Sequence, residues 1–179
     1  MSKYVMGHAS RARSAMIRYT LLIGLLLITV ASMQVSLLSR FRIFSSSADL
    51  MLCTVVCLAF LGGRHTGAIA GIAGGFLIEA MGSSGLMLLP LFYLFLGYVV
   101  GHYSRAMEKR YTAYLMYLGI ALVYRAAITV FYTCITYQNV NLPDILLRIL
   151  LPEMLLSAIA GCAIYFPILL LLRRLNKGR

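Results

Sequence analysis

The amino-acid sequence predicts an all-α integral membrane protein: a six-transmembrane-helix bundle with both termini cytoplasmic, forming one polytopic domain over residues 1–179. Three observations carry this. Hydrophobic residues make up 61% of the chain and charged ones 12%, with a mean hydropathy of +0.89, which leaves too little polar surface to cover a water-soluble core. The apolar residues gather into stretches near the ~20 residues that a helix needs to cross a bilayer. The 16 Lys and Arg, against five Asp and Glu, fall mainly at the ends of those stretches, which is a signature of membrane topology and not of a nucleic-acid surface.

A basic tail over about 1–16 precedes the first span, expected at roughly 17–39. Its apolar stretch from Tyr19 to Leu38 is too long for a signal-peptide core and lacks a small-residue cleavage pattern, so it is kept as a span. From Leu50 to Met81 the chain stays apolar for longer than one crossing allows, and Gly62-Gly63-Arg64-His65 is where turn chemistry coincides with charge. A tight reversal there gives spans at roughly 44–62 and 65–81. The turn Gly82-Ser83-Ser84-Gly85 leads into a fourth span at about 84–104, where Pro90 predicts a kink or notch. The fifth runs over about 111–136. Asn141-Leu142-Pro143-Asp144 then marks a turn, with Asp144 placed to cap the sixth span, at roughly 146–172, which Pro167 should bend. Tyr93, Tyr98, Tyr103, Tyr111, Tyr114 and Tyr117 are expected around the cytoplasmic boundary of the fourth and fifth spans, as interfacial aromatic belts are.

The basic residues fix the orientation. Lys3, Arg11, Arg13, Arg18, Arg64, Arg105, Lys109, Arg110, Arg173, Arg174, Lys177 and Arg179 fall on one side; Arg40, Arg42 and Arg148 fall on the other, and Arg125 lies inside a span. This bias places both termini in the cytoplasm and requires an even number of crossings. Asp49, Glu79, Asp144 and Glu153 come at the outward ends of helices, so a polar site is expected in the outward half.

Within the third span, Gly63, Gly67, Gly71 and Gly75 recur every four residues and the next step is Glu79. On a helix this stripe covers about 24 Å at ~1.5 Å per residue. Small residues at this spacing allow the closest helix contacts available in lipid. Internal packing and an external groove for a partner's helix both demand such a face, and the expected use is the groove, extended by Gly97 and Gly101 in the fourth span and matched by Ser157 and Gly161 in the last.

Arg125, in the middle of the apolar run Leu118 to Phe131, should face the bundle or snorkel to water. It needs an acidic partner, and Glu153 is the first candidate, Glu79 the second. Cys53, Cys57, Cys134 and Cys162 lie in apolar surroundings with no Cys-x-x-Cys pair and no His at ligand spacing, which reads as buried structural thiols. His8, His65 and His102 are too scattered to form a ligand set. With no nucleophile and base pairing, no metal cluster and no Gly-rich phosphate loop, neither enzyme activity nor a cofactor is expected.

The stretch Gly67-Ala-Ile-Ala-Gly71-Ile-Ala-Gly74-Gly75-Phe76-Leu77-Ile78-Glu79, followed by Gly85, Leu89, the run Gly97-Tyr98-Val99-Val100-Gly101 and the tail Tyr165-Phe166-Pro167 before Arg173-Arg174, resembles the rod shape-determining protein MreD family of bacteria. Length, span number and basic ends are similar too. The family more usually carries Asp at the position of Glu79. The resemblance implies a non-enzymatic scaffold of the cell-wall elongation machinery in the bacterial inner membrane. Its primary partner would be MreC, within a larger complex holding the MreB filament, the RodA glycosyltransferase and a penicillin-binding transpeptidase. The family is also similar in fold to the substrate-binding subunits of energy-coupling-factor transporters, so the alternative expectation is a vitamin-binding subunit whose outward pocket is lined by Arg125, Glu79 and Glu153.

Overall fold

The computed structural model describes residues 19–36, 48–81, 88–104, 111–136 and 150–176, all but a few of them in six helices. These are α1 (Tyr19–Ser36), α2 (Leu50–Gly62), α3 (Arg64–Ala80), α4 (Leu89–Tyr103), α5 (Tyr111–Thr136) and α6 (Leu151–Asn176). The basic tail, Asp144 and the turn around Pro143 lie outside the described residues. Three helices, α1, α5 and α6, are long and apolar enough to cross a membrane, whereas α2 and α4 are apolar but shorter.

α2 is the axis of the bundle. Apolar on every side, it is buried along the whole run from Met51 to Phe60, as a helix without a polar face must be. α3, α4, α5 and α6 all pack on it. The expected span 44–62 is corrected at its start: Asp49 is the N-cap, its Oδ1 accepting the Leu52 N–H at 3.0 Å. α2 therefore has 13 residues, roughly 20 Å at ~1.5 Å per residue.

One residue joins α2 to α3. Gly63 has φ 85° and ψ −176°, a region open essentially to glycine alone. Its N–H donates to the Ala59 carbonyl and its own carbonyl accepts from Gly67, both at 2.9 Å, so the reversal leaves neither group bare. The tight turn expected at Gly62-Gly63-Arg64-His65 is found there.

α3 and α4 form the longest seam in the molecule. A Cβ on Gly67 would collide with the Gly97 carbonyl oxygen, one on Gly71 with the Tyr93 carbonyl, and one on Gly75 with Pro90. A Cβ on Gly101 would come within 2.6 Å of the Arg64 Cα, and one on Gly74 within 2.9 Å of the Met51 Sδ. These contacts run antiparallel, and α2 to α6 alternate in direction between an end holding Asp49 and an end holding Gly63. The partner-helix groove expected at Gly63, Gly67, Gly71, Gly75, Gly97 and Gly101 is thereby corrected. All six residues are buried, and α4 fills the face that a foreign helix would need. Pro90, expected to kink the fourth span, instead sits in the first turn of α4, where its missing N–H is not required.

At the Gly63 end, aromatic rings lock α2, α5 and α6 together: Tyr114 stands 5.9 Å from Phe60 and 4.6 Å from Tyr165, ring centre to ring centre. The Tyr114 hydroxyl donates to the Gly161 carbonyl at 2.9 Å. Tyr93 and Tyr114 are thus buried core residues and not belt anchors, while Tyr98 and Tyr103 remain exposed. Among the cysteines, Cys53 and Cys57 are buried and Cys162 is half-buried, but Cys134 is exposed, which corrects its reading as a buried thiol. Outward faces carry large apolar side chains such as Leu21, Phe76, Leu91, Val123 and Ile159, an apolar surface of the kind that marks a membrane or partner contact.

Two predictions follow from this packing. Gly71→Ala should lower stability by roughly 1–3 kcal/mol or more, because its methyl has to push a backbone carbonyl aside. Gly119→Ala on α5 meets nothing within 4 Å and should be neutral or stabilising by up to about 1 kcal/mol; thermal unfolding in detergent compares the two. A maleimide should label Cys134 in the folded protein and reach Cys53 and Cys57 only after denaturation, as read by mass spectrometry.

Candidate functional site

Polar side chains that five helices bring to the start of α2 are satisfied there by one another. Asp49, with only 5% of its side chain exposed, is the hub. Its Oδ2 accepts the Tyr93 hydroxyl of α4 at 2.6 Å and the Arg125 Nε–H of α5 at 3.1 Å. Its backbone N–H donates to Ser157 Oγ of α6 at 2.9 Å. Two residues on, the Met51 N–H donates to Gln34 Oε1 of α1 at 2.8 Å, and the Cys53 thiol donates to the Ser157 carbonyl at 3.1 Å.

Each element has a local reason to deliver its group here. Asp49 stands where the first N–H groups of α2 are open, so its carboxylate caps the helix and lies at the positive end of the helix dipole. Arg125 extends from the middle of α5, and its terminal NH1 also donates to Thr129 Oγ1, one turn on, at 3.3 Å. Thr129 Oγ1 in turn donates to the Arg125 carbonyl at 3.1 Å. Glu153 lies in the first turn of α6, one turn before Ser157 and hence on the same helix face.

The partner of Arg125 is therefore Asp49, which corrects the expectation of Glu153 or Glu79. Glu153 shares a cavity of about 10 Å3 with Asp49, Arg125 and Ser157, room for about one water. Glu79 is not part of this cluster. It follows Gly75 on the glycine stripe at the end of α3, and its Oε1 is buried with no hydrogen-bond partner among the described residues. Among the described residues, the cavity that Arg125 shares with Glu153 does not include Glu79. No group of three or more His, Cys, Asp or Glu placed to hold a metal ion occurs among the described residues.

Sequence reasoning missed Asp49, Tyr93, Gln34 and Ser157 as members of one site. A signal was present for Asp49: an Asp directly before the uninterrupted apolar run from Leu50 to Phe60 is an N-cap pattern, and a cap on a buried helix is itself buried. No signal marked Tyr93, since its hydroxyl finds Asp49 only through the close α3/α4 seam.

Fold and site together define an all-helical bundle with three helices fit to cross a membrane and an ion pair enclosed at one end. No protein-family model, curated protein or solved structure matches the chain.

Arg125→Met removes the cation from an enclosed carboxylate and should cost about 3–5 kcal/mol. Tyr93→Phe removes one donor from the same oxygen and should cost about 1–3 kcal/mol. Thermal unfolding of the detergent-solubilised protein should rank the two in that order.

Proposed function

We propose that this chain is a non-enzymatic scaffold of the bacterial inner membrane, crossing it six times with both termini in the cytoplasm and serving the cell-wall elongation machinery. The observation that carries the reading is how the buried polar side chains are used. Asp49, Arg125, Tyr93, Gln34 and Ser157 tie helices to one another, and the cavities touching Arg125 measure about 10 Å3 each. Such a centre fixes a shape and leaves the outward apolar faces to do the binding. The alternating course of α2 to α6, with basic residues concentrated at one set of segment ends, supports six crossings.

The resemblance of the Gly67 to Glu79 stretch and the Gly97 to Gly101 run to the MreD family supplies the particular partners. These are MreC first, then MreB, RodA and a penicillin-binding transpeptidase in a larger complex. Because α4 occupies the glycine seam, a partner's helix would meet this protein on its outward faces.

A vitamin-binding subunit is less well supported. Small-molecule pockets measure roughly 300–1,000 Å3 and carry a few placed polar groups. The polar cavities here are far smaller, and the open groove of about 450 Å3 between α1 and α3 is lined by Gly24, Leu27, Ile28, Ala73, Phe76, Leu77 and Ala80, all apolar.

Affinity purification of the tagged protein from native membranes in mild detergent, followed by mass spectrometry, tests the proposal. MreC and wall-synthesis enzymes are expected in the eluate. Recovery of transporter ATPase subunits with MreC absent would overturn the scaffold reading in favour of the transport one.

A further inference from the structure

Arg125 lies between two carboxylates carried on different helices. Asp49 holds its Nε–H at 3.1 Å. On another side the guanidinium and Glu153 line the same cavity of about 10 Å3, and a second cavity of that size, lined by Phe92, Tyr93 and Tyr124, also touches Arg125. Two spaces, each about the size of one water, thus adjoin one guanidinium.

Neither carboxylate is left bare when the guanidinium favours the other. Asp49 keeps the Tyr93 hydroxyl and the Leu52 N–H and stays at the positive end of α2. Glu153, in the first turn of α6, lies near the positive end of its own helix. A guanidinium has five N–H donors. Asp49 and Thr129 engage Nε and NH1, so donors remain to reach across a gap one water wide.

We propose that Arg125 is a two-position counter-ion that exchanges between Asp49 on α2 and Glu153 on α6, giving α5 a second seating against α6 at this end of the bundle. The guanidinium keeps a carboxylate in both positions, and Asp49, when released, retains the Tyr93 hydroxyl and the Leu52 N–H. α5 is suited to this, since its contacts with α2 and α6 are sparse beside the α3/α4 seam.

The test uses the full chain in detergent micelles and a double-mutant cycle of Asp49→Asn and Glu153→Gln. Asn still caps α2, so Asp49→Asn removes the charge and spares the helix start. Asp49→Asn should fold with a modest loss of melting temperature, because Glu153 takes over the guanidinium, and Glu153→Gln should shift it little. The double variant should lose at least roughly 4 °C more than the two single losses summed. Additive losses overturn the proposal, and so does failure of Asp49→Asn alone to accumulate as folded protein.

A second readout reports the motion. With Cys134→Ser in the background, since that thiol is exposed, spin labels at the exposed positions Val123→Cys on α5 and Leu155→Cys on α6 should show a changed distance in Asp49→Asn that reverts when Glu153→Gln is added. An unchanged distance in Asp49→Asn, or a change that persists in the double variant, overturns it.

Discussion

A carboxylate enclosed by helices has to be compensated, and the compensation of Asp49 sets the arrangement of most of the molecule. Desolvating an ion costs several kcal/mol, so each donor to Asp49 has a defined place: α4 must bring Tyr93 and α5 must bring Arg125. Ser157 of α6 and Gln34 of α1 fix the adjoining backbone N–H groups. A purely apolar bundle could slide or rotate by one ridge at little cost. Here a slide of the whole Asp49 end would break several hydrogen bonds where water is scarce, and only the Arg125 guanidinium has a second carboxylate to turn to.

α3 is held by a different force. It contributes none of the groups around Asp49 and is fixed instead by close approach, with bare glycine backbone laid on the backbone of α4. In lipid the attraction between helices comes from such packing and not from release of water. The two mechanisms meet in α4, which presents Tyr93 to Asp49 through its hydroxyl and its backbone carbonyl to Gly71. Any displacement of α4 along the seam therefore pulls on the ion pair.

The helices were largely legible in the sequence because apolar length, glycine turns and basic ends are local signals. The reversal at Gly63 was read correctly, since only glycine tolerates that backbone. The destination of the glycine stripe was not legible: an internal seam and an external groove ask for the same residue, and only the third dimension separates them. Arg125 was recognised as needing a partner, but Asp49, Glu79 and Glu153 all stand at outward helix ends, and linear order alone does not say which of them faces the guanidinium. Burial of α2 on all sides puts its cap, Asp49, inside. Tyr93 and Tyr114 misled in the same way, as their sequence positions resemble interface anchors while their hydroxyls serve inward acceptors.

The hydrogen bond from Asp49 to Ser157 spans 108 residues of chain, and this imposes an order on biosynthesis. Asp49 leaves the ribosome before α4, α5 and α6 exist, so its carboxylate waits first for Tyr93 and then for Arg125, and its backbone N–H waits for Ser157. The hub closes only when the last helix has been made. Until then α2, bound to α3 through a single residue, has no finished core to enter, and the hairpin of the two has to be sheltered by lipid headgroups, water or an insertion factor. A chain cut short before α6 would leave the side of α2 that Ser157 covers open, a mark by which quality control could distinguish it from the completed protein.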